Sequence, residues 1–328
     1  AVAWVRNAVD DATRAQALLR ACDVPCDLLH ARFALCDRLA HEAAIRSRFG
    51  RTRAARPGRA LVGTQVLESS LDLDFDLLVT DIAPMASVVQ RAGRLWRHMD
   101  RRPRTMRPLS EPRLHIVSPD PDVVDGPRWL QDVLGSGAWV YPQSVSWRTA
   151  RVLLDAGGFQ PPDELRGLIE AVHGAGAAAP PRALEDDERQ TEGAGWAQRN
   201  HAAHNVVAFD DGYASAQGVW DDVAYPTRLG RPQTTLLLAR LAPGVLKPWA
   251  GDDARDPKTL MLSEVRADSA RLARLPLPDQ SDPHIEAITQ GWPNWRRETV
   301  QVCPVGDGGR ICDGLYYSGM EGLIFPGS

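Results

Sequence analysis

Apolar positions in the first 118 residues switch between two spacings. Short apolar runs within Ala1–Val5, Cys26–Leu29, Arg59–Thr64, Leu77–Asp81 and Leu114–Val117 predict buried strands. Between them the spacing is helical. Ala12, Ala15, Leu18 and Leu19 share a face of a helix predicted over Asp10–Ala21, and Leu39, Ala43, Ile45 and Phe49 a face over Cys36–Phe49. Val88, Val89, Ala92, Leu95 and Trp96 make a third stripe over Ser87–His98. This alternation predicts an α/β domain whose parallel sheet carries helices on both faces. Sites on such sheets lie at the carboxyl ends of the strands, here the segments after Val5, Leu29, Thr64 and Asp81.

Beyond Val117 the pattern weakens. Arg101–Pro112 reads as an irregular link, and Gly157–Gly158, Gly174–Pro181 and the charged run Glu185–Glu192 read as loop or linker. A second ordered block is expected from about Trp196, with strand-like Asn205–Phe209, Val219–Tyr225, Thr234–Leu241 and Gly314–Tyr317. The division expected is residues 1–118, a helical connection over 119–195, and a smaller mixed α+β domain over 196–328. No apolar run approaches the roughly 18 residues that cross a bilayer, and Arg6 and Asp10 interrupt the apolar start, so a cytoplasmic protein is expected. The chain opens on a strand without Met, which predicts a cut inside a longer protein.

The net charge of -4 hides an asymmetry. Up to residue 118 there are 19 Arg against 13 acids; beyond it, 19 Lys and Arg face 29 acids. Lys occurs only at 247 and 258, and the arginine bias fits either phosphate contact or a GC-rich genome. Five Cys without a C-x-x-C fit reduced thiols. Cys22, Cys26, His30 and Cys36 resemble a zinc set only in composition, because Cys26 and His30 flank a strand and need not converge. No metal site is expected within the chain.

Three motifs carry chemistry. In Gln90-Arg91-Ala92-Gly93-Arg94-Leu95-Trp96-Arg97-His98, a continuous helix would place Gln90, Arg94 and Arg97 together, opposite the apolar stripe. An amide with two guanidiniums suits a triphosphate whose charge moves toward the leaving oxygens; the plain alternative is a solvated Arg-rich helix. The segment Gly63–Asp76 follows a predicted strand, and Gly63 and Thr64 there would let backbone approach a phosphate. Asp72, Asp74 and Asp76 alternate like a cation cage but lack the turn of a calcium loop, so a single Asp facing a ribose hydroxyl or an arginine reads better. His30-Ala31-Arg32-Phe33 with Asp37-Arg38 places Arg32 and Arg38 as clamps for backbone phosphates, or else forms a structural loop with a helix cap at Asp37. Arg91–Arg107, with seven Arg and one acid, would extend the basic surface.

In this order and spacing the motifs resemble the second RecA-like domain of superfamily 2 helicases, Gly63–Asp76 their motif V and Gln90–Arg97 their motif VI. The wording is similar to the CRISPR-associated helicase–nucleases of type I systems, and Thr227–Pro232 with Leu236–Arg240 resembles the C-terminal domain of the type I-E branch. The resemblance implies a 3′-to-5′ single-stranded DNA translocase that uses ATP with Mg²⁺, is recruited by a CRISPR RNA-guided surveillance complex and acts with a nuclease. It implies that Gln90, Arg94 and Arg97 face ATP, with the two arginines as fingers, and that Asp72 lies near the ribose or the fingers. Thr64, Gln65, His30, Arg32 and Arg38 would contact DNA. Asn7-Ala8-Val9 departs from the family's Asn-Thr-Val, and Ser70 from its usual Gly. No G-x-x-x-x-G-K-[ST] loop, Asp-Glu-x-His box or His-Asp nuclease cluster occurs in the chain, and His201 and His204 are too isolated to supply one. Another superfamily 2 helicase, or a binding module without a motor, remain the competing readings.

Overall fold

The structure is a computed structural model that describes residues 1–51, 58–68, 71–193, 232–242 and 244–326. Expectations resting on Ser70, Trp196, His201, His204, Asn205–Phe209, Val219–Tyr225 and 227–231 lie outside those residues.

Five short apolar segments form strands β1 (Val2–Val5), β2 (Cys26–Leu29), β3 (Ala60–Gly63), β4 (Leu77–Asp81) and β5 (Arg113–Val117). All pair in parallel, in the order β2-β3-β1-β4-β5. Helices α1 (Val9–Ala21), α2 (Leu35–Phe49) and α3 (Met85–Ala92) fill three of the crossovers. Neighbouring strand residues point to opposite faces, and both faces are covered: Leu29 and Leu61 pack with Ile45, Phe49 and Phe75, whereas Leu28 and Val62 pack with Ala12, Ala15 and Phe33. This is the parallel α/β arrangement expected from the alternation, and the RecA-like fold that the resemblance implied.

A helical section follows, with α4 (Gln131–Leu134), α5 (Gln143–Ala156), α6 (Leu165–His173) and α7 (185–193). The run Glu185–Glu192, expected to be linker, is therefore helical. Tertiary contacts override its polar composition: Glu188 takes Arg148 at 2.7 Å, Asp187 accepts from the Ser144 N–H at 2.8 Å, and Leu184 is buried beside Trp147. Ile82, Ile116 and Val117 join this helical core to the sheet.

The C-terminal part is mixed α+β, as expected. Strand β6 (Gln233–Ala242) pairs antiparallel with β7 (Val245–Pro248) and β8 (Glu264–Asp268), and parallel with β9 (Val300–Val305). Strands β10 (Arg310–Cys312), β11 (Leu315–Ser318) and β12 (Gly322–Ile324) form a small antiparallel meander. Among its helices, α8 (Pro257–Leu262) is capped by Asp256 with proline at the first helical position. Short helices α9 (Ser269–Leu272), α10 (Pro283–Thr289) and α11 (Asn294–Thr299) complete it. Among the described residues no helix is long and apolar enough to cross a membrane.

Candidate functional site

The helix expected over Ser87–His98 stops after Ala92. Beyond Gly93 the backbone is captured by the acidic segment instead: Phe75 N–H donates to the Arg94 carbonyl at 2.9 Å and Trp96 N–H to the Phe75 carbonyl at 3.0 Å. Trp96 turns the chain at φ +47°, an unfavourable region for a bulky residue. Its buried indole offsets that strain by donating to the Asp76 carbonyl at 3.2 Å and stacking under Arg107. The single helical face imagined for Gln90, Arg94 and Arg97 is thus replaced by a helix end and a turn.

The turn brings both arginines onto one segment. Arg94, half-buried, donates to the carbonyls of Leu67 at 3.1 Å and Glu68 at 2.7 Å, and burial lowers its pKa. Arg97, 43% exposed on its side chain, donates to Asp72 at 2.7 Å. His98 also reaches Asp72, at 2.9 Å, and the hydrogen bonds from His98 and Arg97 hold the Asp72 carboxyl down to about 2. Gln90 is exposed on the last turn of α3. Gly63 makes the approach of this segment possible, since a Cβ there would lie 2.7 Å from the Leu29 carbonyl and 2.8 Å from Leu67.

Arg91, given no role of its own in the motif, is the hub. It is 1% exposed and donates to Glu68 (2.8 Å), Thr80 Oγ1 (2.6 Å), the Asp81 carbonyl (3.0 Å) and Asn7 Oδ1 (3.1 Å). The signal was available: Val88, Arg91 and Leu95 stand at i, i+3 and i+7 on the apolar face. The basic surface expected over Arg91–Arg107 is also corrected. Arg102 and Arg107 are buried and grip Asp74 and Asp76 at 2.7–3.1 Å, so these acids hold arginines rather than a cation. Among the described residues no group of three His, Cys, Asp or Glu is placed to hold a metal ion.

A cleft of about 1200 Å³ opens at the carboxyl ends of β1 and β2. One wall is Asn7–Asp10 with Ala31, Arg32 and Arg38; the other is the C-terminal part, with Arg266, Arg271 and Arg274; Trp139 and Met261 also line it. Asp10 joins the walls by pairing with Arg32 (2.6 Å) and Arg271 (2.8 Å). Burial works against the Asp10 charge, but the two guanidiniums prevail and hold its pKa below the ordinary value. Arg38 pairs with Glu42 at 2.9 Å on the same side. The second wall escaped sequence reading because nothing local marks three arginines more than two hundred residues away from Arg32.

Thr64 and Gln65 do not line the cleft: Thr64 is 2% exposed, and Gln65 donates to the Asn7 carbonyl at 2.8 Å. His30 is fully buried, stacked on Phe33, with its ring against the Glu321 carbonyl at 3.0 Å. In this arrangement it presents no surface to a nucleic acid. Asp37 does not cap α2, whose N-cap is Ala34. It accepts from Trp249 Nε1 at 2.9 Å and from the Tyr317 hydroxyl at 2.5 Å, tying the C-terminal part to α2.

Residues 1–100 match the family described as "CRISPR-associated nuclease/helicase Cas3, C-terminal". The chain is 29% identical over 282 residues to the CRISPR-associated endonuclease/helicase Cas3 of Thermus thermophilus, a match that takes in 77% of this chain and 29% of that protein. It is 51% identical over 75 residues to the Escherichia coli protein of the same name, covering 23% of this chain and 8% of that one. A crystal structure of T. fusca Cas3 superposes with a TM-score of 0.74 at 26% identity, over 99% of this chain and 39% of its own. The same relative is described with ATP, at a TM-score of 0.73 and 26% identity, with 99% of this chain and 38% of that one covered. The chain therefore spans well under half the length of these relatives.

Proposed function

We propose that this chain, a counterpart of the C-terminal half of Cas3-type nuclease/helicases, works as the second motor lobe and DNA-gripping part of an ATP-dependent single-stranded DNA translocase in CRISPR antiviral defence. The observation that carries the reading is Arg91. One buried guanidinium joins Glu68, on the segment that holds Arg94 and Arg97, to Asn7, on the wall of the basic cleft. A change at the fuel-facing turn therefore has a rigid connection to the cleft.

The side chains fit a triphosphate held by a companion lobe. Arg94 spends its hydrogen bonds on neutral carbonyls, which leaves its charge free to act on phosphate oxygens. Arg97 is paired with an exposed carboxylate, and exposed pairs contribute only about 0–1 kcal/mol, so exchange onto a phosphate costs little. Gln90 would orient the attacking water or a phosphate oxygen, and Asp72 would hold Arg97 until ATP arrives. Asp74 and Asp76 are committed to Arg102 and Arg107, so the reading assigns Mg²⁺ to the companion lobe, which would also supply the missing phosphate loop. The chain by itself is then expected not to turn over ATP.

Arg32 and Arg38, joined by Arg266, Arg271 and Arg274, would grip the DNA backbone, making affinity salt-dependent and nearly independent of sequence. Thr64 and Gln65 would act through the Asn7 loop, and His30 by fixing the Arg32 loop. A CRISPR RNA-guided surveillance complex is the partner this reading implies.

The test is ATP turnover stimulated by single-stranded DNA, measured on the full-length protein. Arg97→Ala and Arg94→Ala are each expected to lower it about 10³-fold, with DNA binding in the absence of nucleotide unchanged. Near-normal turnover in Arg97→Ala would remove the finger assignment.

A further inference from the structure

We propose that Trp139 is a stacking platform for an unpaired nucleobase within the basic cleft. The inference rests on reading that cleft as the nucleic-acid channel and adds what recognises the base rather than the backbone. Trp139 ends the short 3-10 turn Gly135–Trp139 and is 53% exposed. Trp96, Trp129 and Trp147 are instead buried, and each indole N–H donates to a backbone carbonyl. Leaving a large apolar ring half in water is unfavourable, yet the turn that carries this ring is held in place.

The support is specific. Asp11, 4% exposed, accepts from Ser136 Oγ and from the Gly137 N–H, both at 2.8 Å. A Cβ on Gly137 would lie 3.3 Å from Asn7 Cβ and from the Asp11 carboxylate, so the turn fits closely against the start of α1 because residue 137 is glycine. The ring is thus carried on a turn fixed through Asp11 to the segment whose residues Asn7–Asp10 form the cleft wall, so the backbone beneath it needs no ordering on binding. Arginines and an exposed aromatic ring in one groove are the combination that holds single strands: guanidiniums for phosphates, a π face for any base. Met261, 51% exposed on α8, adds an apolar side chain to the same cleft.

The test compares full-length protein binding to an oligothymidine strand and to the same backbone with abasic sites throughout. Trp139→Ala is expected to weaken binding to the strand with bases roughly 5- to 150-fold, and to leave the abasic strand nearly unaffected. Trp139→Phe should keep most of the affinity. Trp139→Leu, which retains apolar bulk without a π face, should lose as much as Ala and covers the case in which Ala disturbs the turn; melting temperatures check folding. Arg266→Glu with Arg274→Glu should weaken both strands. If the arginine variants weaken neither strand, the channel reading itself fails. If they weaken both, but Trp139→Ala and Trp139→Leu affect the two strands equally or not at all, stacking on Trp139 is overturned.

Discussion

Arg91 and Arg97 lie six residues apart and have opposite fates, and the difference is burial. Arg97 sits in a turn at the surface with one exposed carboxylate. Arg91 is enclosed, and its charge is balanced by Glu68 and by dipoles from Thr80, Asp81 and Asn7. Removing one partner of a buried ion pair strands the other at a cost of roughly 3–5 kcal/mol. Arg91→Met is therefore expected to lower unfolding free energy by about that much in urea titrations, and adding Glu68→Gln should restore part of it. A loss under about 1 kcal/mol would mean the hub is not a structural necessity. Residue type and motif spacing singled out Arg94 and Arg97; the role of Arg91 needed its periodicity to be weighed against its charge.

At the scale of elements, the strands of the first sheet were legible almost to the residue, whereas β7, β8, β9, β10 and β12 were not read at all. Cys26–Leu29 and Leu77–Asp81 were read with their observed bounds, because strands covered on both faces are rich in apolar residues, even with Asp27 in one and Thr80 and Asp81 in the other. The third helix was not, since its apolar spacing continues by coincidence through Leu95 while the backbone has already turned to bridge Phe75. The link after it was misread for a related reason: Arg102 and Arg107 look solvated until Asp74 and Asp76 fold beneath them. Burial raises the pKa of Asp74, but the hydrogen bonds from Arg107 and Arg102 prevail and hold it below 3.8. Carboxyls with depressed folded values stabilise fully above their unfolded pKa, and the effect fades as pH falls below about 4. Arg107→Ala is expected to speed amide hydrogen exchange over residues 93–107 and to raise the pH at which acid unfolding begins. Unchanged exchange and an unchanged acid midpoint would show that the clasp holds nothing.

Across the whole molecule, the cleft exists because α2 and the loop before it are locked to the C-terminal meander, and no local pattern foretold that lock. Its centre is His30. Nδ1 accepts from the Arg32 N–H at 3.1 Å, so the ring hydrogen lies on Nε2, directed at the Glu321 carbonyl 3.0 Å away. A second proton would remove the acceptor. Burial, helped by the charge of Arg32, pushes the imidazole from 6.5 down to about 3, against the opposing pull of the Glu321 carbonyl and Asp10, with His41 adding to the depression. A base with a depressed folded pKa favours the native state fully only above its unfolded value. Stability is thus expected to fall as pH drops from about 6.5 toward 3, by up to about 1.4 kcal/mol for each pH unit. Urea midpoints at pH 7 and pH 5 give the measure. The parent protein should lose about 2 kcal/mol more between them than His30→Gln, which has no proton to take up. Exchange protection of residues 315–325 should fall in parallel as the meander loosens from the Arg32 loop. Equal losses in the two proteins would mean that His30 is already charged or open to water, and that the meander is held to α2 by its other contacts, such as those of Asp37 with Tyr317 and Trp249.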